Sequence, residues 1–447
     1  MFREISEFHE WFAERGRANA YEVTRTKLDE LDGWHFDDET GNLVHRSGKF
    51  FSIEGLEIST DHREVESWTQ PIILQPEIGI LGILVTKFDG VPHCLMQAKM
   101  EPGNINLLQL SPTVQATRSN YTRVHQGSAV PYLEHFVAPR SGKVVFDALQ
   151  SEQGSWFLHK RNRNMIVETT ADVPVLDDFC WLTFDQLGAL LREDNLINMD
   201  SRTVLSGLPF LAGEDEPTAD PGPDAAPEHS FEQLLSWFTE ARSRYRLDRR
   251  TMPLRQVRGW LREPDRIRHE QRRYFNVVGL DVRASNREVT GWSQPMIAPS
   301  DRGVIAFLGR RIHGVFHVLV QARTEAGTSD VVEMSPTVNC IPSNYRDAPA
   351  DKRPRYLDQV LMAPSSALLL DVVHSEEGGR FYHAENRYLV VEADESFPHQ
   401  VPDDFTWMTP QQLMGFVRHG NYVNVAARCL LTCMNVGRRA FDGAGRR

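Results

Sequence analysis

One 25-residue stretch occurs twice in this chain, at a fixed spacing, and that repetition limits what the chain can fold into. Gln97 to Tyr121 reads QAKMEPGNINLLQLSPTVQATRSNY, and Gln321 to Tyr345 reads QARTEAGTSDVVEMSPTVNCIPSNY. The copies lie 224 residues apart without a gap, and 11 of the 25 paired positions are identical, where chance gives roughly one or two. Two copies of this length make a duplicated domain; a solenoid needs several short stacked units.

The chain is long enough for two or three domains, each with its own core. Net charge is −12, from 49 basic and 61 acidic residues, which argues against a general nucleic-acid or anionic-membrane surface. A local basic pocket for a phosphate is compatible with it. The five cysteines, Cys94, Cys180, Cys340, Cys429 and Cys433, form no paired framework and read as free thiols of a reducing cytoplasm. The start, MFREISEFHEWFAERG, has no apolar signal segment. No stretch approaches the roughly 20 apolar residues of a membrane span, so a cytoplasmic, soluble protein is expected.

Phe8, Trp11 and Phe12 stand at helical spacing, as do Leu234, Trp237 and Phe238, so each copy opens with an amphipathic helix. Trp34 and Trp260 correspond as further core anchors. Ile78 to Phe88 and Pro92 to Ala98 flank Asp89-Gly90, the signature of a tight hairpin. The second copy offers Val304 to Leu308, then Gly314, then Val315 to Val320. A strand pair is expected near Lys143 to Phe146 and Met165 to Glu168, matched by Leu368 to Val372 and Tyr388 to Glu392. Each unit then ends in a helix, Phe184 to Leu191 and Pro410 to Val417, capped by Thr183 and Thr409. The expected organisation is α+β, a mixed sheet flanked by helices and built twice: residues 1–207, a flexible linker at 208–229 rich in Pro, Gly, Asp and Glu, residues 230–436, and a tail at 437–447. Homologous halves of this kind pack about an approximate two-fold axis.

Four motifs recur in both copies: Arg-Glu-Val-x-x-Trp-x-Gln-Pro from Arg63 and Arg287, Gln-Ala-Lys/Arg-x-Glu from Gln97 and Gln321, Ser-Pro-Thr-Val from Ser111 and Ser335, and Ser-Asn-Tyr from Ser119 and Ser343. They are polar and turn-forming, whereas repeats kept only for packing retain apolar positions, so they point to binding loops. Turn chemistry is the competing reading. Trp68 with Gln70, and Trp292 with Gln294, pair an aromatic with an amide that suits a planar base; each tryptophan also fits a core role. Lys99 and Arg323 end strands and suit a diphosphate or a carbonyl oxygen. Further candidates are Gln97, Ser111, Thr113, Asn120 and Tyr121 in the first copy and Gln321, Ser335, Thr337, Asn344 and Tyr345 in the second. The first copy alone has Asn104, Arg118, Arg123 and His125, where the second has Thr328, Pro342, Asp347 and Pro349. This marks the first half as the better equipped for proton transfer. His374, His383 and Arg387 are the second half's own candidates, with His159 and Arg163 matching the last two.

The run Ser59-Thr-Asp-His-Arg-Glu-Val65, with Trp68-Thr-Gln-Pro71, Gln97-Ala-Lys99, Glu101-Pro-Gly-Asn104, Leu110 to Gln115 and Ser119-Asn-Tyr121, resembles the NDP-hexose 2,3-dehydratases of deoxysugar biosynthesis. The resemblance covers nearly the whole chain outside the linker and tail. It implies two tandem Nudix-like domains, a homodimer and a dTDP-linked 4-keto-6-deoxyhexose substrate. It also implies loss of the C2 hydroxyl to give a 3,4-diketo-2,6-dideoxyhexose for antibiotic biosynthesis, with an NADPH-dependent 3-ketoreductase consuming the product. A hydrolytic Nudix site needs paired glutamates on a helix to hold Mg²⁺. Neither Arg63-Glu-Val-Glu-Ser67 nor Arg287-Glu-Val-Thr-Gly291 supplies them, so no metal site is expected.

The implied elimination calls for no cofactor. It requires a base for the C3 proton, a group that stabilises the C4 enolate, and an acid for the departing hydroxyl. Glu101 or His125 is expected as base or acid, Lys99 as enolate stabiliser and Tyr121 as proton donor, with Glu134 (paired with Asp358) in reserve. A non-catalytic nucleotide-sugar binding module and a Nudix-type hydrolase are the alternatives.

Overall fold

The computed structural model describes residues 2–63, 65–117, 130–138, 142–208, 226–285, 289–394 and 396–436. The tail and most of the linker lie outside this set. The chain is α+β, and each half repeats the same order of elements.

The opening helices run Ile5–Ala18 and Phe231–Arg244 and bury Phe8, Leu234 and Phe238, as the spacing of those residues requires. Each half then builds a seven-stranded mixed sheet. In the first, Lys143–Ser151, Arg161–Glu168, Gly79–Phe88, Val91–Met100 and Phe179–Thr183 follow one another. Arg161–Glu168 runs parallel to Gly79–Phe88, and the other neighbours are antiparallel. The hairpin turn has positive φ at Asp89 (50°) and Gly90 (82°), as a two-residue connection demands. Thr183 and Thr409 both close capping boxes, with Gln186 and Gln412 respectively, each cap contributing about 1 kcal/mol.

Two features differ from the sequence reading. The capped helices do not end the repeats: each is followed by a buried helix, Met199–Leu205 and Val425–Asn435. These two helices pack on one another in a core shared by both halves. Met199–Leu205 is buried throughout and Val425–Asn435 all but its last residue, polar side chains included, so neither shows the solvent-facing polar stripe that periodicity detects. Arg202 and Arg428 leave them to reach the Ser375 and Ser151 carbonyls of opposite halves.

The second feature is an exchange. Tyr21–Thr26 pairs antiparallel with Phe275–Ala284 of the second half, and Leu247–Met252 pairs antiparallel with Ser52–Thr60 of the first. Each small sheet therefore contains a strand from the other repeat. The turns after Lys99 and Arg323 interlock in the same way. Gly103 donates to the Gly378 carbonyl and Gly327 to the Gly154 carbonyl, while His383 and His159 donate back to Gly103 and Gly327. A Cβ at Gly103 would stand 1.8 Å from the Phe381 carbonyl oxygen, so only glycine permits the approach.

Four cysteines are buried and Cys340 is half-buried, all as free thiols. No described helix is long and apolar enough to cross a membrane.

Candidate functional site

A cavity of about 340 Å³ opens along the seam between the halves, within the range of small-ligand sites. The first half supplies Lys99 and Glu101 at the end of Val91–Met100, Gln115 from the short strand Val114–Ala116, Glu152 beyond Lys143–Ser151, Lys160 and Asn162 at the start of Arg161–Glu168, and Asp200 from the buried helix. The second half supplies Trp292 and Gln294 from Gly291–Pro299, and Glu377 and Arg380 from the loop after Leu368–Ser375.

Glu101 is 3% exposed, and both its oxygens accept amide N–H groups: Gln115 at 2.6 Å and Asn198 at 3.4 Å. Lys99 is 6% exposed and donates to the Gln115 carbonyl at 3.1 Å. Asp200 is 2% exposed, and its Oδ1 has no hydrogen-bond donor among the described residues. The same holds for Glu152 Oε2 and Glu377 Oε2. Burial, reinforced by Glu101, Glu377 and Glu152 nearby, holds the Asp200 carboxyl well above the usual carboxylate range. Burial pushes Glu377 up to about 8, against the pull of Arg380, and raises Glu152 as well. Burial lowers Lys160, whose ammonium donates to the Glu77 carbonyl.

Away from the carboxylates the wall turns aromatic. The Arg380 guanidinium lies 4.2 Å over the Phe51 ring, and its Nε donates to Gln75 at 3.1 Å. Trp34 packs on Phe51 at 4.8 Å and donates to the Ser293 carbonyl. Phe50 stands at the rim, 36% exposed.

The motif tryptophans serve opposite halves. Trp292 and Gln294 line the cavity of Lys99 and Glu101, and Trp292 packs in a cluster with Met100 and Leu107. Trp68 belongs to a cluster with Ala326 and Val331 of the second half, and Gln70 donates to the Ser155 carbonyl. Thr113 and Thr337 sit inside the sheets, accepting from Leu84 and Leu308 and donating to the Leu95 and Leu319 carbonyls. Ser111 is buried and accepts from Asn198; Ser335 is buried. Asn104 is buried in the interlocking turn, and Gln97 is half-buried opposite Ser111. Glu134 is exposed on the turn Leu133–His135. Gln321 donates to Asp404, Asn344 accepts from Tyr274, and Tyr345 ends the helical turn Pro342–Tyr345. Arg387 holds Asp371 in a two-pronged pair. Arg118, Asn120, Tyr121, Arg123 and His125 lie outside the described residues; the preceding Thr117 lines the cavity.

At the corresponding place in the second half, Arg323 pairs with Glu325 at 3.4 Å. Where the first half has Lys160 and Asp200, the second has Ala384 and Ala426, and Trp156 occupies the place of Arg380. Glu376, the counterpart of Glu152, is tied by Gln153, Asn386 and Tyr388. The sequence reading passed over Glu152, Lys160, Asp200, Glu377 and Arg380. A position-by-position comparison of the copies carries the signal for Lys160, Asp200 and Arg380.

Buried carboxyl groups gathered beside two lysines in one cavity, with burial disfavouring the ionised forms of Asp200, Glu152 and Glu377, suit acid–base chemistry. The family model described as NDP-hexose 2,3-dehydratase matches residues 5–208 and again 231–434. The chain belongs to the NDP-hexose 2,3-dehydratase family. It is 58% identical over 433 residues to a dTDP-4-dehydro-6-deoxy-α-D-glucopyranose 2,3-dehydratase of Streptomyces violaceoruber, covering 96% of both chains. Proteins of the same description from Amycolatopsis orientalis and Saccharopolyspora spinosa are 52% and 49% identical, covering 95% and 96% of this chain and 89% and 91% of theirs.

Proposed function

We propose that this enzyme dehydrates dTDP-4-keto-6-deoxy-D-glucose across C2 and C3, giving the dTDP-3,4-diketo-2,6-dideoxyhexose. The observation that carries the reading is the concentration of Lys99, Glu101 and Asp200 in one cavity of a chain that matches its family in both halves. The C4 ketone acidifies the C3 proton. Glu101, oriented by Gln115 and Asn198, takes that proton, and the Lys99 ammonium stabilises the oxyanion that develops on O4. Arg380 holds the diphosphate, and the aromatic wall of Trp34, Phe50 and Phe51 receives the base. Tyr121 and His125 remain candidates for proton transfer.

The mixed sheets with a parallel central pair support descent from a Nudix-like unit. The family resemblance supports a homodimer, measurable by sedimentation, and a partner ketoreductase that reduces the C3 ketone with NADPH. The test is incubation with the 4-keto sugar nucleotide and such a reductase. The expected product has lost the C2 oxygen as one water. Tight binding without turnover supports a binding module instead, and Mg²⁺-dependent release of a nucleoside monophosphate supports a hydrolase.

A further inference from the structure

We propose that Asp200 is the acid that hands its proton to the departing C2 hydroxyl. The inference deepens the dehydratase reading and rests on it. Asp200 sits on the cavity wall, 2% exposed, and no described donor reaches Oδ1. A buried carboxyl oxygen without a donor is costly unless the group is neutral or meets a ligand. Glu101 stands in contrast, with an amide N–H on each oxygen. Asn198 links the two: it caps the helix that carries Asp200 and donates to Glu101. The second repeat keeps the cap as Asn424 and the glutamate as Glu325, yet places Ala426 where Asp200 stands. The helix therefore folds without the carboxyl, and the half with the Arg323–Glu325 pair lacks it. Glu101, Glu377, Glu152 and Lys99 surround Asp200, and burial among those three carboxylates disfavours its ionised form.

The proton balance closes. Glu101 removes the C3 proton, and the C–H electron pair forms the C3–C4 enolate. As the C4 carbonyl re-forms, that pair moves into a C2–C3 double bond, the C2–O bond breaks, and the leaving oxygen takes the Asp200 proton to depart as water. Glu101 returns its proton to carbon C2 while the C3 enol hydroxyl gives its own to Asp200. The 3,4-diketone and the starting enzyme result.

The test separates the two proton transfers. In D₂O, Asp200→Asn is expected to exchange the C3 hydrogen of the 4-keto sugar nucleotide, seen by NMR, while elimination falls about 10²- to 10⁴-fold. Asp200→Ala, which places the residue of the second repeat there, is expected to keep the fold, read by circular dichroism, and to show the same exchange without elimination, whereas Glu101→Gln is expected to lose both. Elimination by Asp200→Asn at the wild-type rate overturns the proposal. So does loss of C3 exchange together with elimination in a folded Asp200→Asn, or a Tyr121→Phe variant that alone shows exchange without elimination. A wild-type protein that does not dehydrate the sugar overturns the dehydratase reading itself, a distinct result.

Discussion

Residue chemistry concentrates in one half of the molecule, and substitutions should report it. Glu101→Gln and Lys99→Met remove the proposed base and the proposed oxyanion partner, and each is expected to lower kcat by about 10²-fold or more. The matching changes Glu325→Gln and Arg323→Met should leave kcat within about threefold of the wild type, read in the coupled reductase assay, because removal of a non-reacting group leaves the transition state untouched. Equal losses in both halves would overturn the assignment. Trp292→Ala should raise KM more than it lowers kcat, since it forms a wall and carries no proton. Lys99 and Glu101 were legible in the sequence because they belong to a duplicated polar motif at a strand end. Glu377 and Arg380 reach the cavity from the other repeat, and no spacing along a chain reveals a contact across a seam; comparing the copies marks Arg380 as different from Trp156 without placing it in this cavity. Thr113 shows why repetition alone does not mark a ligand contact: its hydroxyl satisfies backbone groups inside the sheet, and such a hydroxyl is repeated as faithfully as one that meets a ligand.

At the scale of elements, the interlocked turns position Glu101, the proposed base. Gly103 lies two residues after Glu101, and a methyl group there would collide with the Phe381 carbonyl. Gly103→Ala is expected to cost about 3 kcal/mol in urea unfolding and to lower activity as Glu101 is displaced. Hairpins, amphipathic helices and capped helices follow from local patterns, so the text of the chain displays them. The exchanged strands Tyr21–Thr26 and Leu247–Met252 carry charged and exposed residues. Their identity as strands comes from backbone pairing with the opposite half, which side-chain periodicity does not record.

For the whole molecule, the shared core makes stability depend on pH. Burial raises Glu333 from an ordinary 4.5 to about 7. A carboxyl with a raised folded-state value stabilises the fold fully below the unfolded value, and that contribution is lost as pH rises through the folded one. Stability should therefore decline between about pH 5 and pH 8, by on the order of 3 kcal/mol from this group. The corresponding residue of the first half is Gln109, which donates to Ser375 just as Glu333 accepts from Ser151. Glu333→Gln should flatten the decline, as measured by thermal unfolding across that range.

The traded strands also bear on ancestry. A single repeat with this architecture leaves one sheet edge open unless a second copy lends that strand. Fusing the pair into one polypeptide freed each site to mutate alone. One site has a carboxyl, a lysine and an arginine where its twin has two alanines and a tryptophan.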